Sequence, residues 1–236
     1  MSRHAETLSA AGAATRPAGI RSKRSLCGEP SMDEITKLIQ GVFLGQANGS
    51  VPRAVAFCGA NRGVGSTWVC ARTGESLAEA SGGTVCLIDA NLRFPSLHFE
   101  CGTTNSPGFA ELMRSSGAVS EYARKIAPGV WLVASGTPES ATGAVLNASS
   151  LSQRFAELRG AFDFLLIDTP ALNVWSDALL LGRVADGVVM VIGSDSTRRE
   201  TARNAKTSLE MAQIRVLGAV LNRRTFPIPD AIYKKI

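Results

Sequence analysis

Six short apolar runs, rich in β-branched residues and each closing on glycine or polar residues, leave this chain few folds to choose from. They are "RAVAFCGA" (53–60), "TVCLIDAN" (84–91), "GVWLVAS" (129–135), "FDFLLIDTP" (162–170), "DGVVMVIGS" (186–194) and "IRVLGAVLN" (214–222). Near-continuous hydrophobicity over so short a span is the pattern of a strand buried on both faces. Between the runs the spacing predicts helices over 66–80, 107–115, 149–160, 174–183 and 197–211, and an amphipathic helix over 32–45 precedes the first. In that leading helix Ser31 offers an N-cap, and Ile35, Leu38, Ile39, Val42 and Phe43 recur at helical spacing. Strands that alternate with helices specify an α/β fold, here a mostly parallel sheet covered by helices on both faces, three layers in all.

Sheets of this kind bind ligands at the carboxyl ends of their strands. The polar strand ends are therefore the place to look for chemistry. Four stand out: the loop at 59–67, Asp89-Ala90-Asn91, Asp168-Thr169 and Asn222. All four are expected at one rim of the sheet.

The loop reads "GANRGVGSTW" (59–68), a Gly-rich turn between a buried strand and a helix. Gly63 and Gly65 let the backbone curl, Ser66 and Thr67 start the helix, and the free N–H groups there favour an anion. The alternative is a tight turn of the kind glycine serves in many α/β proteins. Asp168 closes "FLLID" and Asp89 closes "VCLID". Either acid alone is as well explained by capping its own turn, but two at one rim beside a Gly-rich loop suit a nucleotide with Mg²⁺, Thr67 supplying a hydroxyl to the metal. Arg62 and Arg93 are candidates for extra positive charge at phosphate, against the alternative of ordinary surface arginines. Trp131 and Trp175 read as core, and Trp68 as a bulky neighbour of the loop.

Composition bounds the rest. With 236 residues, 45% hydrophobic and 19% charged, the chain suits one sizeable domain, at 31–222. Residues 1–30, rich in Ala, Ser, Gly and Arg without apolar period, read as a disordered tail, and 223–236 as a second tail. The net charge of +5 sits in those tails: residues 1–31 sum to +3 and 223–236 to +3, leaving −1 between them. No nucleic-acid-binding face is expected; basic tails leave contact with anionic lipid or an acidic partner open. No run of about 18 apolar residues and no signal sequence is present, so the expected location is cytoplasmic, with peripheral contact at the inner face of the membrane left open. Five cysteines without C-x-x-C spacing read as reduced structural thiols, and His4 and His98 suggest no metal site.

In order, the Gly loop, "CLIDANLRFPSLH", "FDFLLIDTPA", "ADGVVMVI" and "VLGAVLN" resemble the bacterial tyrosine kinases (BY-kinases) of capsule and exopolysaccharide systems, in the MinD/ParA-like branch of P-loop ATPases. The resemblance covers about residues 30–222. Its most specific part is Asp89-Ala90-Asn91-Leu92-Arg93-Phe94-Pro95, which stands where that family carries Asp-x-Asp-x-Arg-x-x-Pro as an extra Walker motif. The resemblance implies a three-layer P-loop NTPase fold, ATP/ADP and Mg²⁺ as cofactors, Gly63, Gly65, Ser66, Thr67, Arg93 and Asn222 as nucleotide-binding residues, and Asn222 in contact with adenine. It further implies Asp168 as Walker B acid and Asp89 as catalytic or metal-positioning acid, with Thr67 completing the metal site. It also implies a membrane polysaccharide co-polymerase or chain-length regulator as partner, and a homo-oligomer formed through the 32–45 helix.

Several departures bear on activity. The family's Gly-x-Gly-Lys-Ser/Thr falls on Gly63-Val64-Gly65-Ser66-Thr67, so the Lys is replaced by Ser66. The second acid of the extra motif is Asn91, and Tyr233 stands alone where the family carries a tyrosine cluster. The oligomerisation pattern Glu-x-x-Arg-x-x-Arg reads Glu34, Lys37 and Gln40. A kinase-like protein of slow or absent turnover is expected. Two alternatives remain: a MinD/ParA-like positioning ATPase, although Asn61 stands where those place a signature Lys and no long amphipathic helix follows Asn222, and a scaffold without nucleotide, which Ser66 and Trp68 would suit.

Overall fold

The computed structural model describes residues 32–45, 51–137 and 146–223. The tails read at 1–30 and 223–236, apart from Arg223, lie outside the described residues, and so do Ser31, Cys27, His4 and Tyr233.

Seven strands, β1 (Ala54–Gly59), β2 (Val85–Asp89), β3 (Arg124–Ala127), β4 (Val130–Val133), β5 (Phe164–Asp168), β6 (Gly187–Gly193) and β7 (Val216–Asn222), form one sheet in the order β3-β4-β2-β5-β1-β6-β7. Every pairing is parallel except β3 with β4. The six strands expected from the apolar runs are present. β3 was not legible, because its sequence "RKIA" carries two cations in four residues. It persists as an antiparallel edge strand since those cations have work elsewhere: Arg124 donates to the carbonyls of Thr104 (3.3 Å) and Ser106 (3.0 Å), and Lys125 lies 5.2 Å from the Trp131 ring centre.

The period of two along each strand sorts the core into two faces. Ala54, Ala56 and Cys58 of β1, Cys86 and Ile88 of β2, and Leu165 and Ile167 of β5 pack with α4 (Phe109–Arg114), α5 (Ala148–Ala161), α6 (Asp177–Val184) and α7 (Arg199–Met211). Val55, Phe57, Val85, Leu87 and Leu166 face the opposite way, toward α1 (Met32–Ile39), α2 (Ser66–Ser81) and the short α3 (Leu97–Glu100). α1 continues as a π-turn over Gln40–Leu44, so the amphipathic segment runs to the end expected of it. Its Ile35, Ile39, Val42 and Phe43 are buried, with Phe43 edge-on to Phe164 at 5.9 Å, whereas Glu34, Lys37 and Gln40 are exposed. Trp131 and Trp175 are only half-buried and do not fill the core as expected: Trp131 packs against it from outside, and Trp175 stacks with Arg93.

Four free cysteines, Cys58, Cys70, Cys86 and Cys101, are buried. Burial pushes the Cys58 and Cys101 thiols up to about 12, so at neutral pH they are protonated and unreactive.

One acid staples the central strands at their amino ends. Asp186, just before β6, accepts the N–H groups of Arg53 (2.7 Å) and Ala54 (2.8 Å) at the start of β1 and pairs with Arg159 of α5 at 2.8 Å. Burial raises its pKa, but the Arg159 bond and the two N–H donors outweigh this and hold it below the ordinary carboxylate value. With a depressed folded pKa, the staple contributes its stability above the unfolded value of 3.8 and loses it as pH falls through the folded one. We expect Asp186→Ala to cost about 1–3 kcal/mol at neutral pH, the cost of leaving donors unpaired. In urea denaturation series the gap between wild type and variant narrows as the pH is taken below that of an ordinary carboxylate; a gap independent of pH would assign the loss to packing instead.

Candidate functional site

The Gly-rich loop leaves β1 at Gly59 and is held open by its neighbours. The Ala60 N–H donates to the Val191 carbonyl (2.8 Å), and the Leu172 N–H to the Gly59 carbonyl (2.9 Å). Gly63 and Gly65 have φ of +76° and +84°, a conformation L side chains rarely adopt, so only glycine turns the chain here without strain. Gly65 then caps α2, and no side chain caps that helix. The positive end of a 16-residue helix thus opens onto the rim without a protein acceptor from its cap residue. Ser66 Oγ lies back against the loop, 3.6 Å from where a Cβ on Gly59 would sit.

The structure brings the four strand ends together. Asp89 and Asp168 are register partners on neighbouring parallel strands. Thr67 at the start of α2 donates its hydroxyl to Asp168 Oδ2 at 2.7 Å. Asn222 at the end of β7 donates from Nδ2 to the Val64 carbonyl at 2.8 Å. A side chain at Gly65 has no room because of it, since a Cβ there would stand 2.4 Å from Asn222 Nδ2.

Both acids are fully buried. Asp89 accepts three backbone N–H groups, from Asn91 (3.2 Å), Ser96 (3.1 Å) and Leu97 (3.0 Å), and so holds the turn that leads into α3. Burial still pushes its pKa up to about 7 against these three bonds. Asp168 is driven well above the carboxylate range by burial first and by Asp89 second, Thr67 only partly offsetting them. Its Oδ1 is buried without any hydrogen-bond partner. An acceptor oxygen left bare at a buried acid fits a cation. Among the described residues no group of three or more His, Cys, Asp or Glu could hold a metal alone. The set suits Mg²⁺, which keeps waters and shares its shell between one or two carboxylates and ligand phosphates; Thr67, Asp168 and Asp89 are the residues that could hold it.

Other expected residues are present but engaged. Arg93 pairs with buried Asp177 at 2.9 Å and stacks on Trp175 at 3.7 Å, so much of its charge is answered within the protein. Arg62 stacks on Phe94, also at 3.7 Å. Both hydrogen-bonding groups of the Asn222 amide are used: beyond the bond to Val64, its Oδ1 accepts the Arg223 N–H at 2.8 Å. Trp68 packs against the core on the α2 face. Two contacts were not foreseen. Ser96 donates to Thr67 Oγ1 at 3.2 Å, tying the Asp89 turn to the loop; it lies in the same quoted segment, and its distance from Asp89 in sequence hid it. Thr197 donates to Asn61 Oδ1 at 2.5 Å, tying the loop to the segment after β6.

A family model described as cellulose biosynthesis protein BcsQ matches residues 53–212. The tyrosine-protein kinase YwqD of Bacillus subtilis (strain 168) is 32% identical over 142 residues, 60% of this chain and 60% of that protein. The putative tyrosine-protein kinase CapB of Staphylococcus aureus is 30% identical over 138 residues, 58% of this chain and 60% of that one. The matched segment thus spans about 60% of the length of these relatives. Among solved structures, the VpsO kinase domain superposes with a TM-score of 0.73 at 24% identity, covering 82% of this chain and 95% of that one. The septum site-determining protein MinD complexed with Mg-ADP, from Pyrococcus horikoshii OT3, gives 0.63 at 19% identity, covering 78% and 76%. The fold is that of the P-loop NTPases.

The buried acids set a pH dependence whose sign is opposite to that of Asp186. A carboxyl whose folded pKa is raised binds its proton more tightly in the folded state, so the stability it contributes is present below the unfolded value and lost as pH rises through the folded one. For Asp89 that window runs from 3.8 to about 7. Thermal melts without divalent cation between about pH 5 and about pH 8 should fall in Tm, and Asp89→Asn should flatten the slope. A wild-type Tm that rises across this range would mean that the acids are ionised and satisfied without a cation.

Proposed function

The chain belongs to the family of the cellulose biosynthesis protein BcsQ, and from that premise we propose that it is a P-loop nucleotide-binding protein that regulates exopolysaccharide or capsule biosynthesis or export. The observation that carries this reading is Asp168: a buried acid with one oxygen bonded to the loop's Thr67 and the other bare, beside a second buried acid and an uncapped helix. ATP or ADP with Mg²⁺ is the ligand this arrangement suits. Its phosphates would be held at the α2 N-terminus, and Thr67, Asp168 and Asp89 would hold a Mg²⁺ that neutralises phosphate charge. The names of relatives such as YwqD and CapB support the link to tyrosine-kinase chemistry. The protein acts at the inner face of the membrane with a polysaccharide co-polymerase or chain-length regulator. Among the described residues no helix is long and apolar enough to cross a membrane.

Kinase turnover is slow or absent in this reading. Phosphoryl transfer depends on positive charge fixed around the transferring phosphate, and one catalytic Arg is worth about 10³–10⁵ in rate. Ser66 delivers no charge there. Asn91 takes no proton from a tyrosine hydroxyl, and its Oδ1 already accepts the Phe94 N–H at 3.3 Å.

Calorimetric titration with ATP and ADP, with and without Mg²⁺, tests the proposal. We expect Mg²⁺-dependent binding at about micromolar Kd, about −8 kcal/mol, no phosphotyrosine on incubation with Mg·ATP, and tighter ATP binding by Ser66→Lys. Failure of both wild type and Ser66→Lys to bind would sink it.

A further inference from the structure

The loop lacks its lysine, and the two arginines that sequence reading offered in its place are occupied, Arg93 by Asp177 and Arg62 by Phe94. A third cation stands beside the helix start. Arg223, the residue after β7, has its Nε 4.0 Å from where a Cβ on Gly65 would sit, so its guanidinium lies against the residue that caps α2. It is exposed, and among the described residues it forms no ion pair and its side chain makes no hydrogen bond. Its backbone is also unusual. Arg223 is one of two non-glycine residues with positive φ among the described residues, at +60°, and its N–H is clasped by Asn222 Oδ1, while the same Asn222 side chain grips the loop at Val64. A left-handed conformation in a residue with a Cβ costs about 1–2 kcal/mol and persists where surrounding contacts enforce it. Those contacts fix where the guanidinium's chain leaves the sheet: beside the uncapped helix start, on the rim that carries the bare oxygen of Asp168.

We propose that Arg223 is the cation that replaces the missing loop lysine, binding the phosphates of a nucleoside di- or triphosphate at the Gly63–Thr67 loop. The inference rests on the nucleotide-binding reading above. Arg suits the task because its planar fork donates two parallel N–H bonds to one phosphate, and because it arrives from another strand it needs no room inside the loop.

The test is calorimetry of the full chain with Mg·ADP, Mg·ATP and pyrophosphate. The variants are Arg223→Ala, Arg223→Lys, and Arg223→Ala combined with Ser66→Lys. Arg223→Ala should weaken all three ligands about tenfold or more, Arg223→Lys should recover only part of the loss because it lacks the fork, and Ser66→Lys should restore binding in the Ala background. Since Arg223 is exposed, the melting temperature of the unliganded variants should match wild type. If wild type binds and Arg223→Ala binds equally well, the inference falls and the nucleotide reading stands. If Arg223→Ala loses ADP but keeps pyrophosphate, the side chain serves the base or ribose and the phosphate assignment is overturned. If wild type binds none of the three ligands the inference falls, and if Ser66→Lys binds none of them either the nucleotide reading falls with it.

Discussion

Two carboxylates buried side by side at the ends of neighbouring parallel strands are the constraint around which this molecule is arranged. Asp89 and Asp168 face each other in register with no exposure to solvent. Ionised, they repel and forgo hydration; protonated, they are poor ligands. The fold answers the first acid with three backbone N–H groups and the second with only a threonine hydroxyl. That inequality makes one acid an architect of its own turn and leaves the other with a lone oxygen to offer. Two chemically identical side chains on the same rim thereby acquire different work.

The Gly-rich loop beside them owes its form chiefly to backbone. Its curvature comes from two glycines in the left-handed region, its field from the start of α2, and its registration from bonds to β6, β7 and the segment after β5. None of these depends on the side chain at 66. Ser66 therefore supplies no positive charge at the helix start yet leaves the shape of the loop untouched.

The sheet was legible because strands buried on both faces have no polar residue to hide them, and the four candidate strand ends were legible because they break those runs. β3 was not, since an edge strand can carry Arg124 and Lys125 as readily as a loop can. Nor was α3, four residues long and held at its start by Asp89 instead of by its own periodicity. At the site, sequence order could nominate Arg93 but not see that Asp177, 84 residues away, had already engaged it. The residue types at the rim are readable from a string; which of them remain uncommitted depends on contacts between elements far apart in it.

Asn222 illustrates what such commitment does. Its amide holds the loop through Val64 and the chain exit through Arg223, so it works as a keystone whose removal loosens two segments at once. A purine that recruited this amide would have to draw it from the loop, and recognition of the base would then trade against rigidity around the phosphates. In the nucleotide-binding reading, selectivity and tightness would be coupled quantities, and a ligand that left the keystone in place, such as a bare polyphosphate, would meet a stiffer cradle than one that read it.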